Sequence, residues 1–211
     1  VEDARAHVRV PLVVGRAGRH FVHIAFDDRA SRPRHALDQV ECLLELQAAG
    51  FHGHLTEISA FLRKPGNAWL DPQGRGDHGW EEPPYWLKGF QDCGFLLGDA
   101  RMMAESKIWI EGALHSLQPD GWFGPGEGRT GLATDLTGRS DLWPNMIMLF
   151  CLQSYYDQSG DARVIDLMRK YFEYLRQVPE DKFLVGYWPK MRAGDLLYSV
   201  YWLYNRTGQP D

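Results

Sequence analysis

Three short stretches set carboxylates, a guanidinium and aromatic rings just ahead of apolar segments. The first is Gly79-Trp80-Glu81-Glu82-Pro83-Pro84-Tyr85-Trp86, with two acids between indole and phenol rings. The second is Gly138-Arg139-Ser140-Asp141-Leu142-Trp143-Pro144-Asn145, with an acid, an indole and an amide. The third, Gly186-Tyr187-Trp188-Pro189-Lys190-Met191-Arg192-Ala193-Gly194-Asp195, carries an arginine and an aspartate into an otherwise apolar run. Such sets suit polyhydroxylated ligands, because flat rings stack on their apolar faces while acids and amides take the hydroxyls. A carboxylic acid beside a glycosidic oxygen is also a general acid. Glu82 is therefore the candidate catalytic acid. Trp80, Glu81, Tyr85, Trp86, Asp141, Trp143, Asn145, Trp188, Arg192 and Asp195 are the candidate substrate-binding residues.

Each stretch also has a structural explanation. Acids in a first helical turn favour the helix dipole, and proline is at home there. Ser140 or Asp141 suits a helix cap. Arg192 and Asp195 stand three residues apart, the spacing of a helical ion pair. Both explanations stay open at the level of the residues.

The elements that position these stretches follow from the pattern along the chain. Residues 1–34 read as an irregular or strand-like lead-in, with strands expected over 8–14 and 21–26. From residue 35 onward the periodicity is helical. Helices are expected over 35–49, with Gly50 as a left-handed stop, and over 55–62. Residues 65–79 form a loop rich in glycine, proline and aspartate. Further helices are expected over 81–97, 99–117, 141–156, 161–177 and 192–204. Gly98-Asp99-Ala100 and Gly160-Asp161-Ala162 repeat one punctuation: glycine takes the left-handed end of one helix and aspartate caps the next. The helix over 161–177 has one apolar and one charged face, as an outer helix does. Those over 141–156 and 195–204 have almost no charged face and are expected to be buried all round.

Alternation of buried and amphipathic helices predicts an inner ring wrapped by an outer ring. The fold class is all-α, helical hairpins of an (α/α)6 toroid filling residues 35–211. Roughly seven helical segments are legible, fewer than the twelve of a closed six-hairpin ring, so the sequence is expected to hold its first half.

Composition narrows the function. The 211 residues carry a net charge of −5, with no basic run beyond Arg29, Arg32 and Arg34, so a nucleic-acid partner is not expected. No stretch reaches the roughly 18 apolar residues of a membrane span. Eight Trp and nine Tyr fit either a large aromatic core or sugar-stacking walls. The three cysteines, Cys42, Cys93 and Cys151, form no zinc-spaced cluster. His52 and His54 lack a third spaced ligand, so no metal site is assigned. Arg75-Gly76-Asp77 lies in the glycine-rich loop and is read as incidental.

Taken in order, Leu46-Gln47-Ala48-Ala49-Gly50-Phe51-His52-Gly53-His54-Leu55, the Gly79–Trp86 stretch, Gln118-Pro119-Asp120-Gly121-Trp122-Phe123-Gly124-Pro125, Asp141-Leu142-Trp143 and the run from Arg192 to Gly208 resemble the catalytic domain of glycoside hydrolase family 127, the β-L-arabinofuranosidase type. The resemblance runs from about residue 36 to the end and implies an (α/α)6 toroid acting on a carbohydrate, a furanoside or related sugar of plant or microbial glycans. In that family a zinc-bound cysteine thiolate is the nucleophile and a glutamate the acid/base, both in the later half of the domain. Cys93 and Cys151 match no part of that motif. No cofactor is thus assigned within this chain, and zinc is implied only through a downstream cysteine cluster. Two other classes fit a helical toroid: a polysaccharide lyase or unsaturated uronyl hydrolase, and a non-catalytic helical-repeat binding protein.

Overall fold

A computed structural model describes residues 7–12, 20–25, 32–126 and 138–209. Strands β1 (His7–Leu12) and β2 (His20–Ala25) pair antiparallel, with His7 opposite Ala25 and Leu12 opposite His20. Val13, Val14 and Phe26, which the sequence placed in these strands, lie outside the described residues.

The rest is helical. α1 (Arg32–Ala49) and α2 (Phe51–Ile58) form the first hairpin, followed by a 3-10 turn at Ala60–Leu62. α3 (Glu82–Leu97) and α4 (Ala100–His115) form the second, and α5 (Trp143–Ser159) and α6 (Ala162–Gln177) the third. The short α7 (Tyr187–Met191) leads into α8 (Ala193–Thr207).

The repeated punctuation works as the sequence indicates. Gly98 and Gly160 end α3 and α5 in the left-handed conformation, at φ 64° and 68°, where a Cβ would be strained. Asp99 then accepts from the Met102 amide at 2.9 Å, and Asp161 from the Arg163 amide at 3.0 Å. Each carboxylate satisfies a free donor at a helix start. Gly50 departs from expectation. It is extended (φ −94°, ψ −156°), because it serves as the N-cap of α2, which begins at Phe51 rather than near Leu55. A glycine is needed at residue 53 as well: a Cβ there would meet the Ala48 carbonyl oxygen at 1.7 Å, so α2 folds back tightly on the end of α1.

Helices α1, α3, α5 and α8 pack side by side as an inner arc, and α2, α4 and α6 lie outside it. Two glutamines stitch the arc. Gln91 of α3 donates to the Cys151 carbonyl of α5 at 3.0 Å, and Gln153 of α5 donates to the Ser199 hydroxyl of α8 at 2.8 Å. Both glutamines are buried seven residues before the closing glycine of their helix. α5 is buried on nearly every side, from Pro144 to Gln153. α6 buries Val164, Leu167, Met168, Tyr171 and Leu175 and turns its charges outward.

α8 corrects the expectation of all-round burial. Leu196, Ser199, Trp202 and Leu203 are buried, whereas Leu197, Tyr198, Tyr201 and Tyr204 are exposed. Its inward face packs on α5 and α6, and its apolar other face is open among the described residues. The core is aromatic: Trp69, Trp109, Trp122, Phe123 and Tyr171 are fully buried. Phe123 meets Tyr171 edge-on at 4.9 Å, one of the favoured aromatic geometries. No described helix is long and apolar enough to cross a membrane.

Candidate functional site

The starts of the inner helices converge. α3 opens on Pro83 and Pro84, α5 has Pro144 in its first turn, and α7 carries Pro189. Proline is free to sit there because the first amides of a helix have no internal partner. The segment ahead of α7 turns through Leu184, at φ 52° the only described non-glycine residue with positive φ. That conformation costs roughly 1 kcal/mol or more.

These starts build an aromatic shelf. The indoles of Trp143 and Trp188 stack at 5.1 Å with 24° between planes. Tyr85 meets Trp143 edge-on at 6.1 Å, and its hydroxyl accepts from the Trp143 indole N–H at 3.1 Å. Tyr187 meets Trp188 edge-on at 5.0 Å. The Arg192 guanidinium lies 5.8 Å from the Tyr85 ring centre and 3.6 Å from the Asp195 carboxylate. Three segments distant in sequence thus meet in one partly exposed patch. Tyr85 and Trp188 keep 41% and 45% of their surface, enough for a flat ligand to reach them.

Of the sequence candidates, the structure brings together Tyr85, Trp143, Trp188, Arg192 and Asp195. Others sit elsewhere. Trp86 is buried against Phe90 at 4.4 Å and donates its indole N–H to the His52 carbonyl, so it is a core residue. Trp80 is buried too, and its carbonyl accepts from the Trp69 indole N–H at 2.6 Å. Asp141 is buried and accepts from the Trp143 amide at 3.2 Å, fixing the turn into α5. Asn145 is fully buried and donates to the Phe123 carbonyl at 2.6 Å. It pins the Asp120–Pro125 turn to α5 instead of facing a ligand. Glu82 is half-buried and accepts from the Trp80 amide at 3.0 Å, and Glu81 is half-buried just before it. The long loop after Pro125, a candidate cover for a groove, has residues 127–137 outside the described ones.

Beside the shelf, a groove of about 540 Å³ runs between α3, α5 and α8. Lys88, Phe150, Asp157, Asp195 and Tyr198 are among the residues lining it. Sequence reasoning passed over all of these but Asp195. The signal was present: Lys88 and Asp92, an ion pair, are charges inside an otherwise apolar helix.

The cysteines do not offer a nucleophile. Cys93 donates to the Leu44 carbonyl and Cys151 to the Pro84 carbonyl, at 3.4 and 3.3 Å. Burial raises the Cys93 thiol above its ordinary range, with a smaller push from Asp99, and burial raises Cys151 far above it. Both stay protonated thiols at neutral pH. Among the described residues no three His, Cys, Asp or Glu side chains are grouped to hold a metal ion. The donor set present therefore does not fit a zinc-bound thiolate, and no step is assigned to one.

Residues 47–211 match the family model described as β-L-arabinofuranosidase, GH127 catalytic domain. No curated protein and no solved structure matches the chain.

Proposed function

Because the chain belongs to the GH127 β-L-arabinofuranosidase catalytic-domain family and so to a class of glycoside hydrolases, we propose that its substrate is a β-L-arabinofuranoside held on the shelf of Tyr85, Trp143 and Trp188. The stacked Trp143–Trp188 pair, with Arg192 and Asp195 at its edge, is the observation that carries this reading. A sugar ring lies against the exposed indole and phenol faces, which exclude water from its apolar side. Arg192 donates to ring hydroxyls and Asp195 accepts from them. The Asp195 Oδ2 atom is buried and makes no hydrogen bond within the protein, so a ligand hydroxyl is a fitting donor.

Glu82 stands one helical turn before Tyr85 on α3, and we assign it the proton donor's part in this proposal. Its bond to the Trp80 amide needs only an acceptor oxygen. Glu82→Gln keeps that acceptor and removes the proton, so it separates the two roles. A general acid predicts a fall in kcat of about 10²–10⁴-fold with KM little changed. An unchanged kcat reduces Glu82 to a structural cap and moves the proton donor elsewhere.

A further inference from the structure

The groove between α3, α5 and α8 has no part in holding a single sugar on the shelf, yet the two share a residue. Asp195 lines the groove and also pairs with Arg192, whose guanidinium lies over Tyr85. The groove therefore continues from the shelf along the inner helices. Its walls offer rings. Phe150 and Tyr198 meet edge-on at 5.6 Å, and Tyr198 is 59% exposed. Trp202 is less available, because Arg206 covers its face at 3.7 Å.

The charges of the groove are already matched. Lys88 pairs with Asp92, Asp157 with Arg206 at 2.6 Å, and Asp195 with Arg192 at 3.6 Å. The charged lining residues thus act as oriented hydrogen-bonding groups with little net charge. No lining cation is left uncommitted for a carboxylate, and the two lining aspartates repel one. Rings flanked by fixed acceptors and little net charge suit a neutral sugar chain.

We propose that this groove binds the neutral sugar residues adjoining the one on the shelf, so that the ligand is a neutral oligosaccharide rather than a single glycoside or a uronate chain. The proposal rests on the shelf as the site of the hydrolysed sugar. Its test is calorimetric titration of the full chain with neutral arabino-oligosaccharides from mono- to tetrasaccharide, and with oligogalacturonates of the same lengths. Affinity rises at least tenfold from mono- to trisaccharide in the neutral series and does not rise in the acidic one. Tyr198→Ala removes a largely exposed ring, and Ser154→Phe fills the groove from α5. Each abolishes the gain with length and leaves monosaccharide affinity unchanged. Monosaccharide binding with no gain from length overturns the groove alone. A gain that survives both variants, or an acidic series that matches the neutral one, overturns it too. A length gain without monosaccharide binding upholds the groove and counts against the shelf.

Discussion

Removing the carboxylate of Asp161 tests the hairpin punctuation and the ion pairs tied to it. Asp161 caps α6 through the Arg163 amide and also holds the Arg163 guanidinium at 2.6 Å. Arg163 in turn grips Glu111 of α4 through two bonds of 2.9 and 2.7 Å. Asp99 supplies the contrast, since it caps α4 through the Met102 amide alone among the bonds described. Loss of a cap costs about 1 kcal/mol. The exposed ion pair adds roughly 0.5 kcal/mol, because Arg163 is half solvated and screened. Asp161→Ala is thus expected to cost about 1.5 kcal/mol, and Asp99→Ala about 1 kcal/mol. For a chain of this size that is a fall in Tm of roughly 3–6 °C against 2–4 °C.

The Arg163 hydrogen bonds hold both Asp161 and Glu111 below the usual carboxylate range. A carboxylate whose folded pKa is lowered stabilises fully above its unfolded value, near pH 4, and loses that contribution as pH falls through the folded value. The gap in Tm between wild type and Asp161→Ala therefore narrows below about pH 4. Thermal unfolding of the three proteins by circular dichroism from pH 7 to pH 2.5 is the assay. An Asp161→Ala loss no larger than that of Asp99→Ala, or a gap that widens in acid, would refute the reasoning.

Two further outcomes follow from buried groups. One of the three thiols, Cys42, is exposed; iodoacetamide is expected to label it alone in the native protein and all three after unfolding, and rapid labelling of a second thiol in the native protein contradicts the assignment of Cys93 and Cys151 as core residues. Trp69→Phe removes the indole donor to the Trp80 carbonyl in a fully buried place. A cost of about 1–3 kcal/mol by denaturant titration is expected, and a neutral result would mean that this bond does not hold the strap ahead of α3.

The hairpin architecture was legible because its signals are local. A glycine stop and an aspartate start act within one turn of chain, so Gly98-Asp99 and Gly160-Asp161 announced both hairpins. The site was legible in part. Its three stretches were found, but the choice of side chains within them depends on helical phase. Trp86 shares a face with Phe90 and Cys93, four and seven residues on, and that face is core. Tyr85 shares one with Lys88 and Asp92, and that face is wet. The same rule buries Asn145 with Met148, Leu149 and Leu152. The groove was missed for a different reason. α8 is apolar on both sides, and composition alone does not say which side a neighbour covers.

The central claim is that the shelf holds the sugar whose bond is broken. The most direct measurement compares wild type and Trp188→Ala on a panel of aryl glycosides that includes the β-L-arabinofuranoside. Trp188 is 45% exposed, so the variant remains folded, with a loss of about 1–2 kcal/mol of aromatic packing. The account predicts turnover of the arabinofuranoside above the other glycosides, and a rise in KM of about tenfold in Trp188→Ala, the loss of roughly 1.4 kcal/mol of stacking. Equal kinetics for the two proteins on the preferred glycoside would contradict it and place the substrate away from the shelf.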